Sequence, residues 1–544
     1  MIASPPRGRL PLGAAVLVAL AAGPVLDAAF PELGIWVLAF PAIALALLTA
    51  RGRRLGAALL IGLAFGAAFW FPHIGWASRF LGVLPWAALA GLMTIWTGLG
   101  TMLIALAYRW MPRVAPGRLG RLLLTPAVVA GLWTLREGVS SVWPYGGFSW
   151  GRVAFSQSAS PFDGLFSWLG TSGVGFVMVL LVAVAIEVAL DPALAPALRS
   201  RAASTPVGAA ARFSRLLAPG RARRGALVTA VTLVLLIVPA FPTAPDGTLR
   251  VGAVQGDTKA GYFDPPAAVG DNLIGQAEAT EPVFDQHVDV VVWPEGASDV
   301  DPLRDPWAAR IWNLVSAETD APIVGGTITQ RGDEYFNTSL LWEDGDAVDH
   351  YDKKHPVPFG EYIPDRAFWR PFAPDLIDLV QREYTPGTTD TVMDVGRAIA
   401  GFAICFDIVD DAIMRQSVDD GAQVILAQTN NADFGRDTDE SVQQLGIAQV
   451  RALELGRSVV NISTVGTSAV VLPDGTVTHR LATYEPGVIV DDVPLRTGTT
   501  PAVAIGAQLE WFLALGALLL LIAAGVMLRL TRSVTRRTRD EGAV

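Results

Sequence analysis

VDVVVWPEG, at residues 288–296, is a strand written without a wet face: Val290, Val291 and Val292 are consecutive, and Trp293-Pro294 then turns the chain out to deliver Glu295. A half-exposed strand alternates apolar with polar residues, so an uninterrupted β-branched run argues for a sheet covered on both sides. The same signature recurs in LRVGAVQG at 249–256, APIVGGTIT at 321–329, AIAGFAICFD at 398–407, AQVILAQTN at 422–430, SVVNISTVG at 458–466 and SAVVLP at 468–473. Helix-like stretches separate them. Over 439–457, Val442, Leu445, Ala448, Ala452 and Leu455 fall at helical spacing. Asp474-Gly475 is a plain hairpin turn. Together these predict one large α/β domain over 246–500, a length that a single core can serve.

Outward from this block the composition changes. Residues 246–500 carry 42 acidic and 17 basic side chains, whereas the remainder is basic, although the whole chain has a net charge of −10. An acidic, water-exposed block repels phosphates, which excludes nucleic acid as a partner. A single cysteine, Cys405, excludes a disulfide framework and every multi-cysteine metal site, and five histidines leave little for a histidine-built one, so neither metal nor cofactor is expected. Arginine is the routine cation here. The three lysines, Lys259, Lys353 and Lys354, therefore stand out.

The basic part reads as a polytopic α-helical membrane domain. A helix needs about 20 apolar residues to cross the hydrocarbon core with its backbone bonded internally. Runs of this kind lie at 10–29, 33–50, 55–77, 82–108, 122–138, 164–190, 225–243 and 508–530, giving about eight spans. The fifth, entered early by Arg136 and Glu137, reads alternatively as a re-entrant or interfacial helix. The first, preceded by Arg7 and Arg9, reads alternatively as a signal peptide. Every second connection is basic: Arg51, Arg53 and Arg54; Arg109, Arg113, Arg118 and Arg121; Arg199, Arg201, Arg212, Arg215, Arg221, Arg223 and Arg224; then Arg529, Arg532, Arg536, Arg537 and Arg539. The positive-inside rule places these, and both termini, in the cytoplasm and the acidic block outside. The expected division is 1–245 with seven spans, 246–500, and 501–544 with the eighth span and a basic tail.

Three strand or loop ends in the α/β block carry candidate chemistry. Glu295 stands where a buried strand emerges, and burial raises a carboxyl pKa into the range of a general base; alone, it reads more readily as a surface glutamate in a turn. Lys353 lies in YDKKHPVPFGEYIP at 351–364, a proline-studded stretch that resists helix and strand. That lysine pair is either a solvated basic turn or holds an ammonium for a developing oxyanion. Cys405 ends AIAGFAIC ahead of an acidic helix start, DIVDD. It is either inert packing or a thiol exposed at a strand-to-helix turn among backbone donors.

Glu, Lys and Cys in that order, at the ends of strands and loops in an α/β domain, resemble the catalytic set of the nitrilase (carbon–nitrogen hydrolase) superfamily. Such a domain set between the seventh and eighth of eight spans resembles the apolipoprotein N-acyltransferase family over nearly the whole chain. WPEG is similar to that family's glutamate strand, YDKKHPVPFGEYIP to its lysine loop and ICFD to its nucleophile, and WTLREG at 133–138 and GFSWG at 147–151 to its outward loop ahead of span six. The fold implied is an extracytoplasmic αββα sandwich. Carried over residue by residue, the resemblance implies Glu295 as general base, Cys405 as nucleophile, Lys353 as electrostatic stabiliser, Glu361 as a second carboxylate positioning the site, and the Phe406 N–H as an oxyanion donor. Lys354 is left as a surface lysine. Departures are Phe406 and Asp407 where the family commonly shows tyrosine and glutamate, Pro356-Val357 for leucine-valine, Asp433 for tryptophan, and Ser149 for proline. All but Ser149, a minor change in a loop, bear on acyl-chain and lipid preference.

The resemblance implies a phospholipid acyl donor, a thioester on Cys405, and transfer to the α-amine of a diacylglyceryl-modified N-terminal cysteine of lipoproteins. The enzyme would be a monomer in a bacterial inner membrane, without a cofactor. Tyr262, Phe263, Phe359, Tyr362 and Phe434, aromatics in loops near the catalytic strings, are expected at the lipid entrance or else in ordinary core packing. Two alternatives stay open: a membrane-anchored amidase that passes its thioester to water, and a non-catalytic membrane anchor for an enzyme using polyprenol substrates.

Overall fold

The computed structural model describes residues 10–190, 219–258, 261 and 267–541. Arg7, Arg9, Arg199, Arg201, Arg212, Arg215, Tyr262 and Phe263 lie outside the described residues.

Each of the eight apolar runs overlaps a helix: α1 (Leu12–Asp27), α2 (Ala39–Ala50), α3 (Leu55–His73), α4 (Val83–Val114), α5 (Thr125–Ser140), α6 (Asp163–Ala189), α7 (Pro219–Leu236) and the last, Pro501–Glu541. Five are long and apolar enough to cross a membrane: α3, α4, α6, Pro501–Thr531 of the last, and α5 when the turn of π-helix before it is included, Gly120–Ser140. The fifth run is thus an unbroken 21-residue helix. α1 and α2 are apolar but shorter. The first helices pack through small residues, Ala15, Ala19 and Ala22 of α1 and Ala42 and Ala46 of α2 being buried. Gly131 shows why: a Cβ there would lie 2.5 Å from that of Ala517, so only glycine lets α5 close on the last helix. Without a hydrophobic drive between helices in lipid, such backbone approach supplies the packing.

The α/β part is a sandwich of two six-stranded sheets. One runs β12-β1-β2-β3-β4-β5, the other β11-β10-β9-β8-β7-β6. In the first are β1 (Ala244–Gln255), β2 (Val290–Val292), β3 (Ile323–Arg331), β4 (Glu334–Glu343), β5 (Asp346–Asp352) and β12 (Gly487–Thr497). The second holds β6 (Val392–Asp394), β7 (Ile399–Ile404), β8 (Val424–Thr429), β9 (Ser458–Ser463), β10 (Ala469–Val471) and β11 (Val477–Arg480). β1, β2 and β3 are parallel, as are β7, β8 and β9, and these six hold all the apolar runs but SAVVLP, which forms the antiparallel β10. Their inner faces meet through Val251, Val292, Val324, Phe402, Leu426 and Val460. Outside the first sheet, α8 (Asp271–Thr280) and α9 (Pro306–Thr319) cover Trp293 and Trp342 with Trp312.

Outside the second sheet lie α10 (Asp411–Asp419) and α11 (Glu440–Leu455), and here the layers continue into the membrane part. α11 is buried on both faces. Its apolar stripe faces the sheet, and its polar side meets the membrane helices: Trp76 and Trp150 donate to Gln443 Oε1 at 3.1 and 2.7 Å, and Gln443 Nε2 donates to the His73 carbonyl at 3.2 Å. Arg152, in the loop after α5, pairs with Asp411 at 2.6 Å and Glu510 of the last helix at 3.5 Å, and Arg451 pairs with Asp411 and Glu454 at 2.7 and 2.5 Å. Buried charges are tolerated when each has such partners.

Candidate active site

Glu295 follows β2 by three residues, and its loop lies directly on β3. A Cβ at Gly326 would sit 2.6 Å from the Glu295 Cα, so a glycine in β3 makes room for the loop. Glu295 is 7% exposed. Its Oε1 accepts from Asn337 Nδ2 at 2.7 Å and from Lys353 Nζ at 3.5 Å, and its Oε2 from the Asn430 N–H at 2.9 Å. Burial raises its pKa; the Lys353 charge opposes this and the Glu361 charge adds to it.

Lys353 follows β5, and its N–H donates to the Asn337 carbonyl at 2.8 Å, so the strand pairing carries on past the strand end. The ammonium is buried and lies 3.0 and 2.9 Å from the two oxygens of Glu361. Burial works against its charge, but the Glu361 and Glu295 carboxylates overcome that and lift its pKa well above the ordinary lysine value. Glu361 also accepts from Asn337 Nδ2 at 3.2 Å and the Val357 N–H at 2.6 Å. Lys354 is half-buried.

Cys405 sits at the end of β7, where the chain passes into a 3-10 turn, Cys405–Val409. It is held at φ 50°, a left-handed backbone that few non-glycine residues adopt. Such strained positions persist only where surrounding contacts fix them. Here Asp407, fully buried, accepts from the Ile404 N–H at 3.2 Å, the Tyr351 hydroxyl at 2.8 Å and the His355 N–H at 3.3 Å, tying the cysteine turn to the lysine loop. From the other side, the Phe406 ring stacks on Phe148 at 5.8 Å and on Trp150 at 6.2 Å. Ser149, the loop substitution noted in the sequence, donates to the Val409 carbonyl at 3.1 Å, and is thus a direct brace of the cysteine turn. Burial and the Glu295 charge hold the Cys405 pKa well above the usual thiol value, while Lys353 acts in the opposite sense.

Glu295, Lys353, Glu361, Cys405 and Phe406 all line one cavity of about 1130 Å³. Its opposite wall comes from the membrane part, including Trp76, Phe80, Trp86, Leu89, Met93 and Trp143. Phe359 and Phe434 line it as well, Phe359 edge-on to Tyr145 and Trp369 and Phe434 edge-on to Trp76. Tyr362 corrects the expectation for the entrance, since it does not line the cavity. Pro358 pairs with Tyr362 in an isolated β-bridge that closes a tight turn, and it is the turn residues Phe359, Gly360 and Glu361, with Ile363 after them, that line the cavity. Asn337, Asn430, Tyr351 and Glu440 are functional candidates that pattern reading passed over. Asn337 and Tyr351 lie on polar strands, β4 and β5, that carry no apolar run; only the proximity of Asn430 to the NNADFG string and of Tyr351 to the lysine loop gave a signal.

With this geometry in hand, comparison with known proteins adds the following. Residues 22–184 match the family model of the apolipoprotein N-acyltransferase N-terminal domain, and residues 250–500 match that of carbon-nitrogen hydrolases. The chain is 30% identical over 548 residues to the apolipoprotein N-acyltransferase of Mycolicibacterium smegmatis, covering 95% of this chain and 86% of that one. It is 27% identical over 527 residues to that of Shewanella oneidensis, covering 92% of each. Among solved structures, a nitrilase-superfamily amidase from Nesterenkonia is similar at a TM-score of 0.35 and 19% identity, covering 47% of this chain and 94% of that chain.

Proposed function

The chain belongs to the apolipoprotein N-acyltransferase family, and from that premise we propose that it moves a fatty acyl group from a phospholipid, through a thioester on Cys405, to the α-amine of a diacylglyceryl-modified N-terminal cysteine of lipoproteins. The observation that carries this reading is the shared cavity: base, ammonium and thiol on one wall, apolar membrane-helix side chains on the other. A water-soluble amide needs no such wall, and a lipid ester does.

Burial and the Glu295 charge disfavour a resting thiolate. Attack on the ester carbonyl is therefore coupled to transfer of the thiol proton to Glu295. The tetrahedral oxyanion falls to Lys353, which Glu361 keeps charged and aimed, and to the Phe406 N–H. Collapse returns the proton to the leaving glycerol oxygen and frees a lysophospholipid. The acceptor amine then attacks the thioester, Glu295 carries a proton from nitrogen to sulfur, and an amide results. This is a two-step, ping-pong cycle.

In this reading 1–245 and 501–544 anchor the enzyme in the inner membrane and 246–500 works on its outer side, since the arginine-rich connections alternate with connections nearly free of cations. The test uses full-length protein in phospholipid vesicles. Intact-mass analysis should find one acyl group on the protein without acceptor, and addition of a diacylated cysteinyl peptide should move it to the peptide α-amine. Release of free fatty acid in place of peptide acylation would make the protein an amidase-like hydrolase. No acyl adduct on the wild-type protein would remove the thioester.

A further inference from the structure

Glu440 opens α11 and lines the same cavity as Glu295, Lys353 and Cys405, yet the cycle above leaves it unused. It is 2% exposed. Its Oε2 accepts from Asn431 Nδ2 at 2.6 Å, and among the described residues no lysine, arginine or histidine pairs with it. Asn431 in turn donates to Gln444 Oε1 at 2.9 Å, and Gln444 Nε2 donates to the Cys405 carbonyl at 3.3 Å. The carboxyl is thus held on a short hydrogen-bonded chain that ends on the nucleophile's own backbone. The titratable groups near it are Glu295, whose charge it feels, and Cys405 and Tyr484, which feel its own.

The proton count of the second half-reaction calls for such a group. In the first half, ester plus thiol gives thioester plus alcohol, and the single proton that leaves sulfur ends on the glycerol oxygen. In the second, an N-terminal amine arrives largely as an ammonium, its pKa being about 7.7–8.0. Ammonium plus thioester gives amide plus thiol plus one further proton. Glu295 carries one proton from nitrogen to sulfur and is then occupied, so the other must leave by a second route.

We propose that Glu440 is the residue that receives the acceptor's α-ammonium and takes its first proton, leaving Glu295 to serve sulfur. The inference rests on the acyl-transfer reading and adds a division of labour between two carboxylates. Burial, aided by Glu295, raises the Glu440 pKa to about 8, with Asn431 acting against the rise. That matches the amine, and proton transfer between groups of matched pKa is close to thermoneutral. The incoming cation also favours the ionised carboxylate, so a protonated Glu440 first gives up its own proton to solvent as the ammonium binds and then takes one from the ammonium, the acceptor helping to create its own base.

The test separates the half-reactions in full-length protein in phospholipid vesicles. Glu440→Gln keeps the side chain's size and its capacity to accept from Asn431. It should form the acyl-enzyme and release one equivalent of lysophospholipid at a rate within about twofold of wild type, while transfer to a diacylated cysteinyl peptide at neutral pH falls by at least about tenfold, toward the lower end of what acid–base catalysis contributes. Hydroxylamine, uncharged at neutral pH, should discharge the Gln variant's thioester at the wild-type rate. Glu440→Asp, which keeps a carboxylate, should restore part of the peptide transfer. Unchanged peptide transfer in the Gln variant overturns the proposal, as does a variant that folds but loses acylation and transfer alike. If wild type itself forms no acyl-enzyme, the failure belongs to the acyl-transfer reading.

Discussion

The groups proposed as catalytic share one cavity but are held in two different ways. On the base side, Glu295, Lys353 and Glu361 are held entirely by the α/β part: Asn337 bridges both carboxylates, and the Asn430 and Val357 N–H groups complete them. On the nucleophile side, the turn after Cys405 leans on the membrane part. Phe148 and Trp150 stack on Phe406, Ser149 bonds the Val409 carbonyl, and Arg152 holds Asp411. The difference teaches where alignment comes from. Charge is preorganised within the α/β sandwich, and the proposed attacking atom is set by the part of the protein that meets lipid.

The sharpest break is at the nucleophile. Cys405→Ala should abolish acyl-enzyme and peptide acylation, a loss of about 10⁴-fold or more as for other nucleophiles that act within a unit, with the melting temperature little changed. On the base side, Glu361→Gln leaves Lys353 with a single close carboxylate. Turnover should drop by roughly 10²–10³-fold, the range for losing one preorganised oxyanion contact, and the adduct on Cys405 should form correspondingly slowly. Breaking the membrane brace should cost less. Phe148→Ala with Trp150→Ala removes two ring stacks worth about 0.5–1.5 kcal/mol each, so a loss of roughly five- to a hundredfold is expected. That loss should fall on acyl-enzyme formation, and thiol alkylation of Cys405 should change in rate. If those variants were silent while Asn337→Ala was not, alignment would belong to the sandwich alone. The smallest effect separates two loop aromatics: Phe359→Ala should lower lipid turnover severalfold, whereas Tyr362→Ala should stay within about twofold, the usual range for a side chain away from the site.

Much of this was legible along the chain because the informative signals are local. VDVVVWPEG announces both a buried parallel strand and the carboxylate at its end, and eight apolar runs announce eight helices. β4 and β5 escaped, since one carries buried polar residues such as Asn337, Thr338 and Ser339 and the other is mostly exposed, so neither has an apolar period. Glu440 escaped for a different reason. At the start of an amphipathic helix a glutamate is the ordinary choice for the dipole, and only the packing of α11 between sheet and membrane helices turns it into a buried cavity wall. Gln443, Arg451 and Glu454 likewise look like a solvated face in one dimension and are a buried interface in three. The stripe read at helical spacing identified the side of α11 that meets the sheet. Nothing local identifies what covers the opposite side.

One further consequence lies in how the sandwich is hung. β1 and β12 are neighbours in one sheet, with Ala244 opposite Thr497, and the chain leaves that pair for α7 on one side and for the last helix, beginning at Pro501, on the other. Partners across an antiparallel pair stand about 5 Å apart. The sandwich therefore has two ropes tied at one point, which forbids swivelling about a single bond. The same closeness makes the unit portable: its ends fit the gap of a hairpin loop, so it can be spliced into a foreign scaffold or closed head to tail without stretching the chain.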